Sequence, residues 1–340
     1  MPPHRTAAVT LGPGDRADAT LTALAADADD ARGDVPRALE LAVRWGTKLS
    51  APGRGHTRPL WEALATLGAV DLTVARVVEP HLDALAILDE PRDGAWGVWA
   101  AETPGARLRA EATPHGYVLN GRKPWCSLAA DLSHALVTAW VGDEQRQLFA
   151  VDLHQPGVST ADAPWVARGL GTVRSTPVDF DDVVARPVGE PEWYLRRDGF
   201  AWGGIGVAAV WYGGSVGVAR RLWRQAAERE LDQIGQLHLG RVDAALTAAS
   251  SVLLGAAVEV DAGRAAGVAG ALAALRVRQV VADAAETVLL AADHALGPAP
   301  LTTEDEHAGR VADLRVYLRQ HHAERDTAAL GRLVSDVSPW

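Results

Sequence analysis

Residues 117–139 read YVLNGRKPWCSLAADLSHALVTA. Tyr117 to Leu119 is apolar and β-prone, and Asn120-Gly121 is the dipeptide favoured in two-residue hairpin turns, so the stretch predicts two strands joined at that turn. The return arm is unusual. After Lys123-Pro124 it carries a flat ring, the chain's only cysteine and a hydroxyl: Trp125, Cys126 and Ser127. Strand alternation turns Cys126 away from both neighbours, which makes it a small buried filler and puts Trp125 and Ser127 on one face. On the residues alone, Trp125 reads as a barrel-core tryptophan and Ser127 as a strand cap.

Outward from this segment, residues 94 to 187 keep the short alternating period. RLRAEATPHGYVLNG gives two strands around Pro114-His115-Gly116, HALVTAWV and QLFAVDL give two more around Gly142-Asp143, and TPVDFDDVVA closes the set. Short strands at this spacing predict a small barrel or sandwich. The period is helical on both sides. Residues 36–49 and 60–89 read as helices, the second marked by Leu64, Leu67, Val70, Val74, Val77 and Val78. Four more helices are predicted near 203–229, 238–262, 268–296 and 304–334, with breaks at Gly235 to Gly240, Gly263 to Gly267 and Gly297-Pro298. The predicted class is α+β: a partly ordered segment over 1–35, a short N-terminal helical domain over 36–92, a middle β-barrel domain over 93–192 and a C-terminal four-helix bundle over 193–340.

Composition limits the function classes. With 340 residues, 48% hydrophobic and 22% charged, the chain reads as a globular protein, and a net charge of -10 argues against a nucleic-acid binder. A single cysteine excludes an internal disulfide and a Cys-rich metal site. Residues 200–219, FAWGGIGVAAVWYGGSVGVA, are uncharged and long enough to span a bilayer, but six glycines dilute the run and Arg220-Arg221 follow, so a buried bundle helix is expected and no membrane span. No signal peptide is read at the N-terminus, and the expected location is the cytoplasm. Gly204-Ile205-Gly206-Val207-Ala208-Ala209 matches a dinucleotide-binding string, yet no strand precedes it and no acid follows in a βαβ setting.

Helices, a small β domain and a bundle, together with LWEALATLGAVDLTVARVVEPHLDAL, GVWAAETPG, YVLNGRKPWCSLAADLSHALVTA and HALGPAP…RVADLRVYLRQHHAERDTAALG, resemble the acyl-CoA dehydrogenase family over roughly residues 58–332. The resemblance implies FAD as cofactor. It implies that Trp125, Cys126 and Ser127 form the segment against the flavin, with the indole packed on the isoalloxazine and the Ser127 hydroxyl offered to the nitrogen that accepts a hydride. Trp99 to Ala101 align with the flavin loop, where the usual threonine is Ala101 and only the backbone remains to donate. The Arg-x-Phe-Gly stretch of the bundle is missing, and the glutamine before a Gly-Gly turn is His294 before Gly297-Pro298, so His294 and Gly297 are the implied adenosine-side contacts.

The family's usual catalytic glutamate aligns with His321. The candidates for the base are therefore His321, His322 if the register slips by one, and Glu324 one turn on. A neutral imidazole titrating near pH ~6.5 can take a proton. The alternative is a solvated, salt-bridged helix turn, because adjacent histidines on a helix point apart. A metal site is not expected, since His321 with Glu324 lacks further ligands. The implied activity is α,β-desaturation of an acyl-CoA or related thioester, with an electron-transfer flavoprotein as acceptor and a homodimer or homotetramer as assembly. Two other readings fit the missing glutamate: a flavin monooxygenase or oxidase on the same scaffold, and a non-catalytic partner subunit.

Overall fold

The computed structural model describes residues 8–12, 14–90 and 93–335; of the segment expected to be partly ordered, residues 1–7 and 13 lie outside these. Four helices precede the sheet: α1 (Ala19–Asp30), α2 (Val35–Gly46), α3 (Thr57–Val70) and α4 (Leu72–Leu88). α1 buries Leu21, Leu24, Ala25 and Ala28, so the N-terminal segment contributes to the core. The single helix expected over 60–89 is two. Asp71 leaves the helical backbone (φ -162, ψ 125) and its carboxylate accepts the Val74 N–H, capping a new helix.

The strands are β1 (Trp96–Trp99), β2 (Leu108–Thr113), β3 (Gly116–Ser127), β4 (His134–Val141), β5 (Gln145–Asp152), β6 (Val158–Thr160) and β7 (Ser175–Val188). The hydrogen-bonded order is β1-β4-β2-β3-β7-β5, and β5 also pairs with β4, which closes a small barrel. β1 and β2 share one edge of β4, β1 at Trp96↔His134 and β2 at Arg109↔Trp140.

Asn120-Gly121 is not a hairpin turn. β3 runs through it without reversing, and the register against β7 slips between Leu119 and Gly121, where Gly121 takes φ 114. A Cβ there would lie 2.4 Å from the Arg107 carbonyl oxygen, so the glycine serves a bulge and a close strand approach. The turn lies earlier, at Pro114-His115, between β2 and β3.

The helical remainder holds α5 (Trp193–Arg196), α6 (Asp198–Glu228), α7 (Gln233–Asp261), α8 (Gly267–Leu296), α9 (Ala299–Thr303), α10 (Asp305–Tyr317) and α11 (Glu324–Ser335). Gly235 and Gly240 lie inside α7 rather than at a break; the break falls at residues 229–232, and Asp232 caps α7 through Gly235 N–H at 2.7 Å. The helix expected over 304–334 is interrupted by a short 3-10 turn at Leu318–Gln320 and a bend at residues 321–323. The uncharged run 200–219 lies in α6 and packs on α3. A Cβ on Gly213 would stand 1.9 Å from the Ala65 carbonyl oxygen, and one on Gly68 2.4 Å from that of Val210, so small residues on both sides set this close crossing. α7 is the helix among the described residues that is long and apolar enough to cross a membrane, with only 33% of that window buried.

Candidate functional site

The second slip in β3 builds the site. Lys123 pairs with Val178 and Cys126 with Thr176, so Pro124 and Trp125 together face one residue of β7. Pro124 brings no N–H to the ladder, and Trp125 adopts a left-handed backbone at φ 58. The extra residue lets Lys123 and Cys126 both point into the barrel, each 0% exposed, while Trp125 between them is thrown outward at 57%. Cys126 is a core filler, as its spacing indicated, and burial pushes its thiol pKa up. Trp125 is not a barrel-core residue.

Trp125 and Ser127 open onto a cleft of about 1250 Å³ bounded by α4, the β1–β2 loop, the lip of β3, α6, α8 and the α10–α11 turn. The Trp125 Nε1–H donates to Thr103 Oγ1 at 3.1 Å, which holds the indole at the rim. Ser127 Oγ is 2.7 Å from Ser175 Oγ and accepts from Arg76 Nη2 at 3.3 Å. Trp99 lines the cleft and donates its Nε1–H to the Ser127 carbonyl at 3.2 Å, so the loop and the lip are tied together. Ala101 and Glu102 complete the loop wall. Glu102 is anchored by the buried Lys123 ammonium at 2.6 Å, and burial lowers the Lys123 pKa while Glu102 opposes that shift. The buried Nε1 of Trp165, also in the lining, has no protein partner.

The three candidate bases separate. His322 lines the cleft and its Nδ1 sits 3.2 Å from Asp326 Oδ1. His321 does not: it is buried edge-on against Trp211 at 6.1 Å between ring centroids, 3.8 Å from Asp326 Oδ2. Burial lowers its pKa, against the pull of Asp326. Arg278 fixes this arrangement, stacking 4.6 Å over Trp211 and donating to the carbonyls of Gly204 and Gln320, both at 3.0 Å. Glu324 is exposed at the start of α11 and outside the lining. His294 and Gly297 are also outside it. His294 is exposed, 5.6 Å from the His238 ring, and Gly297 terminates α8 at φ 68.

Two acids that line the cleft and that the sequence reading does not single out lie on α4. Glu79, its side chain 13% exposed, is pushed up to about 7 by burial, against the pull of Arg76. Asp83 is raised by burial too, with Arg197 at 3.3 Å pulling it back. The signal in the sequence was an ionisable residue within the apolar face of a helix, Val77-Val78-Glu79-Pro80.

No family model and no curated protein matches the chain. Solved structures do. The FMN-bound form of TdsC from Paenibacillus sp. A11-2 superposes with a TM-score of 0.77 at 16% identity, over 91% of this chain and 94% of that one. KijD3 in complex with FMN and a dTDP-amino-keto sugar gives 0.76 at 16% over 93% and 92%. A nitrososynthase from Micromonospora carbonacea var. africana gives 0.74 at 17% over 92% and 93%. The chain therefore has the α+β, acyl-CoA dehydrogenase-like fold: N-terminal helices, a small β-barrel and a helical bundle.

Proposed function

We propose that the chain is a flavin-dependent oxidoreductase that desaturates an acyl thioester between its α and β carbons. The observation that carries this reading is the lip of β3, where the bulge at Pro124-Trp125 aims an indole and a hydroxyl into a large, mostly apolar cleft against the bundle. The cleft has room for a flavin and a substrate, and the orphaned Trp165 N–H is a donor awaiting an acceptor. Trp125 would cover one face of the ring system and Ser127 would present its hydroxyl at the ring edge. A bound flavin supplies two-electron chemistry by accepting a hydride. The chain's own part is to hold the ring, exclude water and receive a proton from the substrate.

FAD is the flavin of this reading, with a second copy supplying adenosine contacts at His294 and Gly297, which stand outside the cleft of their own chain. The exposed Ile234, Leu237 and Val258 of α7 and Val268 and Leu290 of α8 give such a copy an apolar face to cover. FMN, present in the TdsC and KijD3 structures, needs no adenosine contact; chromatography of released flavin separates the two. An electron-transfer flavoprotein is the proposed acceptor. One observation favours a second reading on the same scaffold. His321 is withdrawn behind Trp211, and a flavin monooxygenase, as TdsC is named, needs no carboxylate there. The test is flavin absorbance of the purified protein followed by acyl-CoAs without oxygen. Bleaching supports desaturation; a flavin that acyl-CoAs leave oxidised, with oxygen consumed once a flavin reductase is added, refutes it for the second reading.

A further inference from the structure

We propose that Glu79, on α4, is the group that accepts the substrate's α-proton, in place of any residue of the α10–α11 turn. The inference rests on the desaturase reading above. Among the carboxylates lining the cleft, the others are committed. Glu102 holds Lys123 at 2.6 Å, Asp83 holds Arg197 at 3.3 Å, Asp198 accepts the Gly267 N–H at 2.6 Å, and Asp326 engages His322. Glu79 has only long contacts, 3.6 Å to Arg76 Nη1 and 3.4 Å from the Tyr317 hydroxyl, which donates to it.

Its placement fits the chemistry. Arg76 reaches Glu79 with one nitrogen and Ser127 Oγ with the other, at 3.3 Å, so the acid stands one arginine away from the hydroxyl assigned to the ring edge. Glu79 also borders a second pocket of about 280 Å³, which has Leu60, Trp61, Leu64 and Leu82 in its wall. It thus sits where a chain entering from the cleft would bend into an apolar recess. The charged and titratable groups facing it are Arg76 and Asp83 on its own helix, Arg278 on α8 and Tyr317 on α10. Burial dominates among these influences and brings the acid close to neutral pH, where a carboxylate is both present and basic enough to work. The C–H bond α to the thioester carbonyl breaks and its proton ends on a Glu79 oxygen. A flavin held in the cleft would take the hydride that the β carbon gives up, and the bond between the two carbons would become double.

Two measurements test this. Infrared titration of the protein between pH 5 and 9 should show a protonated carboxyl band with a midpoint near 7 that is absent in Glu79→Gln; this readout needs no turnover. Deuterium uptake at the α carbon of an acyl thioester in heavy water, without oxygen, should fall about 100-fold or more in Glu79→Gln and be unchanged in Glu324→Gln, with Glu79→Asp retaining part of it. Wild-type exchange in a folded, flavin-loaded Glu79→Gln overturns the assignment and leaves the desaturase reading standing. A wild type that acyl-CoAs neither bleach nor exchange overturns both.

Discussion

Lys123→Met should destabilise the protein by about 3 kcal/mol, and the structure says where that comes from. The Lys123 side chain is 0% exposed, and its ammonium donates to Glu102 Oε1 at 2.6 Å and to the carbonyl and hydroxyl of Thr138, both at 2.8 Å. Methionine keeps the stem and removes every donor. Breaking a fully buried pair by deleting one partner costs about 3–5 kcal/mol. Glu102 is 25% exposed and keeps Trp140 Nε1–H at 3.3 Å, so the lower end applies. A chain of this length unfolding as one unit has an unfolding entropy of about 0.7 kcal/mol/K, so the melting temperature should fall by about 4 °C. Differential scanning fluorimetry reads it. The double variant Lys123→Met/Glu102→Gln no longer strands a charge and should recover about 1–2 kcal/mol. A single variant that melts within about 1 °C of wild type, or a double variant no more stable than Lys123→Met, would refute the reasoning, since neither outcome is compatible with a buried ion held by its partner.

The other predictions are simpler. His81 accepts the Trp96 N–H on Nδ1 at 3.2 Å, and burial lowers its pKa from 6.5 to about 4. The fold therefore holds it neutral, and its stabilisation is complete above pH 6.5 and lost as the pH falls toward 4, by about 3 kcal/mol in all; Glu79, raised to about 7, contributes in the opposite sense over that range, so the loss is read as the change in the difference between wild type and His81→Asn from pH 7 to 4.5. Trp125→Ala removes an exposed side chain, so stability should change by no more than about 0.5 kcal/mol, while under the proposed function affinity for added flavin, measured by fluorescence titration, should fall about 10-fold. Gly213→Ala should cost about 3 kcal/mol or more because its Cβ meets the Ala65 carbonyl, whereas Gly240→Ala, with nothing within 4 Å, should stabilise α7 by about 0.5–1 kcal/mol in urea unfolding.

The architecture was legible because it depends on period. The change from helical to alternating spacing near residue 94 and back near 198 survives any error in a single turn. Local breaks were less legible because the dipeptides used to find them serve two purposes. Asn120-Gly121 suits a hairpin turn, but its left-handed glycine also suits a bulge, and only the partner strand decides which forms. Gly235 to Gly240 suggest a break, yet the cap at Asp232 starts α7 before them, and a helix tolerates two glycines once tertiary contacts hold it. Asp71 carries a cap signal of its own: a short acid between two apolar runs, three residues before Val74.

The site was half legible for a related reason. Trp125 and Ser127 are two residues apart, so a strand argument reaches both. That argument reached the right face by a path the structure alters, since simple alternation would have put Lys123 beside Trp125, and the bulge instead sends Lys123 inward and the indole out. Glu79 lies 238 residues from Tyr317 and 48 from Ser127, and no spacing rule connects them. What connects them is the cleft. Its wall holds Arg76 and Arg278 beside a single loosely held carboxyl; Arg278 also has Asp326, whereas a half-buried Arg76 with no anion nearby would bear an unrelieved desolvation cost. An acid near Arg76 is therefore favoured on electrostatic grounds, whichever helix supplies it. At the α10–α11 turn the aligned position is His321, packed against Trp211 with its pKa lowered by burial, and the acid that favours the Arg278 charge from that side is Asp326 on α11. For Arg76 that acid comes from its own helix α4, where Pro80 follows Glu79 and removes one backbone donor from the helix beside it.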